Sequence, residues 1–136
     1  MKRKMLIKQL TLIGLGIWVA LISIKASAQT GGSKIEGKWY AKDLEKSIIE
    51  VTKTSDGTYE GVVKSSAKES YVGGKVIRYF TYDADKQLYK GKIYSLARGM
   101  ELDGEIVLEK DGRLKLTGRK FFMTKTFYWT RSNDNE

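Results

Sequence analysis

The chain has 136 residues, enough for one domain, and it contains no cysteine, histidine or proline. Those absences exclude disulfides, thiolate nucleophiles, an acylated lipoprotein cysteine, a Ser-His-Asp triad and any imidazole or thiolate metal site, leaving only carboxylates for a hard cation or an acid/base pair. The formal charge of +9 does not mark a nucleic-acid binder, because residues 1–28 carry five basic residues and no acid, and the remainder balances 20 basic against 16 acidic residues.

Lys2-Arg3-Lys4 precedes an apolar stretch from Leu6 to Ile24, and Ala26-Ser27-Ala28 follows. A positive start, an apolar middle and small residues at the third and first positions before a cut form the pattern of a secretory signal peptide. The pattern predicts a signal helix over residues 1–28, cleaved before Gln29, and a periplasmic or secreted protein. An uncleaved segment would instead tether the domain to the inner membrane with its positive end cytoplasmic, and membrane contact is expected only through that segment. Residues 29–34 read as a flexible leader, 35–131 as the folded domain and 132–136 as a polar tail.

Inside the domain the dominant signal is alternation. Lys38 to Ala41 reads as a first strand and Ser47 to Lys53 as a second, with Ile49 and Val51 on one face. Thr54-Ser55-Asp56-Gly57 turns into a third strand, Thr58 to Lys64. Lys75 to Tyr82 is a fourth, and Asp83 to Lys86 turns into a fifth, Gln87 to Ser95. The clearest case runs from Met100 to Glu109. Met100, Leu102, Ile106 and Leu108 point one way, and Glu101, Asp103, Glu105 and Glu109 point the other. Lys110-Asp111-Gly112 is a hairpin turn into Arg113 to Arg119, and Phe121 to Arg131 is the last strand. A helical turn at most fits Lys42 to Lys46 or Ser66 to Ser70.

About eight strands at this spacing predict an all-β fold, a small antiparallel up-and-down β-barrel after the signal helix. Closure removes the exposed edges of a meander, and an eight-stranded barrel has room for packed side chains or one small ligand. The charged outer faces exclude a lipid-embedded barrel.

Gly37-Lys38-Trp39 opens the first strand and Trp129-Thr130-Arg131 closes the last. With Gly57-x-Tyr59-x-Gly61, Tyr89-Lys90-Gly91-Lys92-Ile93-Tyr94 and the Lys110 to Gly118 stretch, they make the chain resemble the bacterial exported family known as domain of unknown function 2147. The paired ends also resemble the lipocalin-like arrangement. That resemblance implies a barrel whose first-strand Trp39 packs beneath Arg131 of the final strand, a cation–π closure worth roughly 0.5–2 kcal/mol. The chain departs from the family at Ser66 to Gly74, which is short, and at Ser95-Leu96-Ala97-Arg98-Gly99, which replaces a proline-containing turn.

Phe121, Met123, Phe127 and Trp129 share one face of the last strand with Lys125 between them, and Tyr82, Tyr89 and Tyr94 lie near in the chain. The aromatic set predicts a cavity for a small apolar or amphipathic ligand, lined by Tyr82, Tyr94, Met100, Leu102 and Phe127, with Lys125 or Arg78 as polar anchor. The competing reading is a filled barrel that serves as a structural module and binds an envelope protein. Glu101, Asp103, Glu105 and Glu109 read as a solvated face offset by Lys90, Lys92, Arg113, Lys115 and Arg119. Arg119-Lys120 beside Phe121-Phe122 reads as a basic rim, the alternative being contact with a membrane surface or an acidic glycan. No catalytic residue, metal, cofactor or nucleic-acid partner is expected.

Overall fold

The structure, a computed structural model, describes residues 34–132. The expected signal segment, residues 29–33 and residues 133–136 lie outside the described residues. Eight strands follow in order: β1 (Gly37–Ala41), β2 (Ser47–Lys53), β3 (Tyr59–Ser65), β4 (Lys75–Asp83), β5 (Leu88–Ser95), β6 (Met100–Leu108), β7 (Leu114–Lys120) and β8 (Met123–Arg131). Each pairs antiparallel with the next, and β1 pairs with β8 through Trp39↔Arg131 and Tyr40↔Thr130, so the sheet closes into an up-and-down barrel. One single-turn 3₁₀ helix, Glu69–Tyr71, interrupts the β3–β4 connection.

The strands form where side chains alternate between core and water. Along β2, Ser47, Ile49 and Val51 are buried while their neighbours are not, and β7 repeats the rhythm with Leu114, Leu116 and Gly118. The outer acids are paired across strands: Asp103 with Lys92, Glu105 with Arg119 at 3.3 Å and Glu101 with Arg78 at 3.8 Å. These pairs are exposed, so each adds about 0–1 kcal/mol and chiefly sets register.

One end of the cylinder is closed by its own termini. Trp39 is fully buried and its indole N–H donates to the carbonyl of Ile35 at 2.9 Å. The Arg131 guanidinium lies 3.9 Å from the Trp39 ring centroid and donates to the carbonyl of Glu36 at 2.7 Å. Partial desolvation in this position lowers the Arg131 pKa from its ordinary value. Gly37 is what admits the guanidinium: its φ is +119°, and a Cβ there would come within 2.8 Å of an Arg131 nitrogen. The Gly-x-Trp spacing is therefore a steric requirement of the stack. Ser132, expected to open a frayed tail, is buried instead, and its N–H donates to Lys38 at 3.0 Å.

Above this plug a row of glycines crosses the inner wall, Gly91 opposite Gly104 and Gly104 opposite Gly118. The Phe80 ring occupies the space over the first two, where an added Cβ would meet it at 2.6 Å and 2.8 Å. Tyr59 and Tyr89 pack edge to face with centroids 5.5 Å apart at the same end. Burial, helped by the neighbouring Tyr59, pushes the Tyr89 hydroxyl far above the usual tyrosine range.

Two expectations about the strands are corrected. The last strand begins at Met123, not Phe121: Lys120 pairs with Met123, so Phe121 and Phe122 are the whole of a two-residue turn. Phe121 is 90% exposed and lies off the inner face shared by Met123, Lys125, Phe127 and Trp129. In β4 the register jumps between Arg78 and Thr81, and Tyr79 takes φ +60°. That irregularity buries both Ile77 and Phe80, three positions apart, where simple alternation would bury only one.

Candidate functional site: a cavity at the open end of the barrel

The connections at residues 42–46, 66–74, 96–99 and 121–122 lie at the end opposite the Trp39 plug. Beneath them the interior is hollow. A cavity of about 360 Å³ opens there, within the roughly 300–1,000 Å³ span of small-molecule sites. Val76, Ile93, Leu116 and Trp129, all buried, line its interior. Its walls are Leu102 and Phe127, and Leu44, Leu96, Met100 and Met123 surround the mouth.

The hollow follows from what stands on the inner faces. At Gly118 the nearest atoms to an added Cβ are those of Leu102 at 3.4 Å and 3.6 Å, an ordinary contact. No ring crosses this end as Phe80 crosses the other. The glycine row therefore runs from a plug at Gly91 to a void at Gly118. Lys125 stands opposite Gly118 on β8 and continues that row to the rim.

The lining is apolar with a few polar groups near the mouth: Asp43, Ser95, Arg98, Thr124 and Lys125. Two cations face one carboxylate, so the entrance favours a negative group. The Arg98 backbone N–H is held by the Ser95 hydroxyl at 3.2 Å, and its guanidinium donates to the Met123 sulfur at 3.7 Å. The Lys125 ammonium lies 5.8 Å from the Phe127 ring. Lys125 is exposed, so its charge reaches water at the mouth.

Of the residues the sequence marked for this site, Tyr94, Met100, Leu102, Lys125 and Phe127 line the cavity. Arg78 and Tyr82 do not. The β4 irregularity turns Arg78 to the outer wall, where its guanidinium sits 4.3 Å from the Tyr94 ring and its ε N–H donates to Lys75 at 3.1 Å. Tyr82 is on an inner position at the closed end, with its ring 4.8 Å from that of Tyr89 and its face partly exposed. Leu44 and Leu96–Arg98 at the mouth were not singled out. The available signal was a lone leucine in each of two otherwise polar connections.

Barrel, end plug and hollow open end together define the class as a lipocalin-like antiparallel β-barrel domain. Residues 37–131 match the family described as "Uncharacterized protein conserved in bacteria (DUF2147)", and the chain belongs to that family. No curated protein and no solved structure matches the chain.

Proposed function

We propose that the protein is an exported binding protein that holds one small apolar or amphipathic molecule in the open half of its barrel and does no chemistry on it. The cavity carries this reading: an apolar lining continuous from Trp129 to Met100, with Arg98 and Lys125 at its mouth. An alkyl chain inside gains about 0.8 kcal/mol per buried CH₂, and a carboxylate or phosphate at the mouth meets the two cations. The composition of residues 1–28 supports export to the periplasm or beyond.

Displacement of a fluorescent fatty acid, paired with native mass spectrometry of the exported protein, tests the reading. Leu102→Trp fills the cavity and is expected to weaken probe binding by about tenfold or more, equivalent to roughly 1.4 kcal/mol. Lys125→Gln is expected to weaken an anionic probe about two- to fivefold and leave a neutral one unchanged. Absence of both displacement and a ligand adduct, with Leu102→Trp indistinguishable from wild type, would discard ligand binding in favour of an envelope interaction module. Intact mass of the exported chain reports whether it begins at Gln29.

A further inference from the structure

The turn between β7 and β8 is built from unlikely residues. Two-residue hairpin turns favour glycine, asparagine or aspartate, because a central residue must take positive φ. Here the positions are Phe121 and Phe122, and Phe121 sits at φ +55°. A bulky residue is strained there. Burial does not recover that cost, since Phe121 is 90% exposed and Phe122 fully exposed. Two rings stand in water at the tip of a hairpin beside the cavity mouth.

The surroundings are cationic. Lys120 and Arg98 flank Met123 directly below the tip, and Lys125 follows on β8. Of the nearby acids on β6, Glu101 pairs with Arg78 at 3.8 Å and Asp103 with Lys92, while Asp43 stands across the mouth with Arg98 and Lys125. Lys120 lies 5.8 Å from the Phe121 ring and donates to the Glu101 carbonyl rather than to a carboxylate. Exposed aromatics ringed by lysine and arginine are the complement of an anionic bilayer surface, where rings enter the headgroup boundary and cations meet lipid phosphates.

We propose that the Phe121–Phe122 hairpin tip docks the barrel onto anionic phospholipid membranes, with Arg98, Lys120 and Lys125 as its electrostatic collar. Docking stands on the turn alone. That it also turns the cavity mouth toward the acyl chains rests on the ligand-binding reading.

The test is flotation of the exported protein with phosphatidylcholine vesicles, with and without phosphatidylglycerol. Partitioning is expected on the anionic vesicles, weak on the neutral ones and reduced by salt. Lys120→Gln and Lys125→Gln are each expected to weaken it about fivefold, and F121S/F122S about tenfold or more. Phe122→Trp adds a reporter at the tip, and quenching of its added fluorescence by brominated lipid reads insertion even in a chain that retains its leader. Phe121→Gly is expected to raise the melting temperature by relieving the backbone while it weakens vesicle binding. Failure of Phe122→Trp to be quenched, with F121S/F122S floating like wild type, overturns the proposal. So does a dimer in sedimentation that F121S/F122S dissolves, which would assign the tip to a second copy of the chain. No vesicle binding by the wild-type chain, with fatty-acid displacement present, would remove docking and leave the cavity reading intact.

Discussion

The two halves of this barrel are built from one alternating pattern and reach opposite results. At the closed end every inward position is occupied: Trp39 under Arg131, Phe80 over Gly91 and Gly104, Tyr59 against Tyr89. At the open end the same strands carry Leu102, Leu116, Gly118 and Phe127 inward and leave about 360 Å³ unfilled. An eight-stranded cylinder is just wide enough for either outcome. Four rings, Trp39, Tyr59, Phe80 and Tyr89, fill the solid half, and Phe80 is the one that covers the glycine row. The solid half holds the packed rings, and the hollow half is where the proposed ligand would sit.

If this division holds, truncations in the two halves should differ sharply. Phe80→Ala removes the central ring of the solid half and is expected to cost about 3–5 kcal/mol, read from chemical denaturation. Met100→Ala at the mouth is expected to cost a small fraction of that, because Met100 is only partly buried beside an existing void. Equal losses would show that the open end is load-sharing core.

Gly91→Ala makes the contrast in one atom. The new Cβ would meet Phe80 at 2.6 Å and the Arg78 carbonyl at 2.7 Å, and backbone cannot yield as a side chain does. Overpacking of this kind costs about 1–3 kcal/mol. Arg131→Met removes the cation from Trp39 and is expected to cost about 0.5–2 kcal/mol, read as a fall in Tm. An unchanged Tm would mean that Trp39 burial alone closes the barrel.

Much of this was legible in the sequence, because strand alternation survives in any environment with one wet face. Ser47 to Lys53 and Met100 to Leu108 show it most plainly, and the Gly37-x-Trp39 and Arg131 ends marked the closure. What alternation cannot supply is height along the cylinder or a break in its own period. Tyr82 was on an inward position but at the wrong end, since β4 runs away from the mouth. Arg78 was displaced by an irregularity centred on Tyr79, a residue with no turn chemistry to announce it. Phe121 and Phe122 read as strand because aromatics favour strands. The mouth residues Leu96–Arg98 belong to a connection, where no period exists to be read.

Gly118→Ala is the mirror of Gly91→Ala. The same substitution on the same glycine row meets Leu102 and Ile93 at ordinary contact distances of 3.4–4.0 Å. Its sign should reverse: a stabilisation of about 0.4–1 kcal/mol from the stiffer unfolded chain, with weaker probe binding as the methyl enters the cavity. Destabilisation at both glycines would mean the open half is as tightly packed as the closed one.

The turns divide along the same line, and at the closed end they hold carboxylates with depressed pKa, Asp56 most of all. At the closed end Thr54 to Gly57 is made of turn residues, and the Asp56 carboxylate accepts from the Thr54 hydroxyl, the Thr58 N–H at 3.0 Å and the Thr58 hydroxyl at 2.8 Å. These donors, the Thr54 hydroxyl first, hold its pKa at about 2 against an ordinary 3.8. A depressed carboxylate stabilises the fold above its unfolded value and ceases to do so as the pH falls through its folded one. Its contribution is therefore complete above about pH 4 and disappears toward pH 2. Asp56→Asn should flatten stability across that window, leave it unaltered near neutrality apart from a uniform offset, and leave ligand and vesicle binding untouched. A shift in either binding would show that the closed end communicates with the mouth. The turn at Phe121 and Phe122 carries exposed rings instead, and on the docking proposal they answer to what they meet outside the barrel.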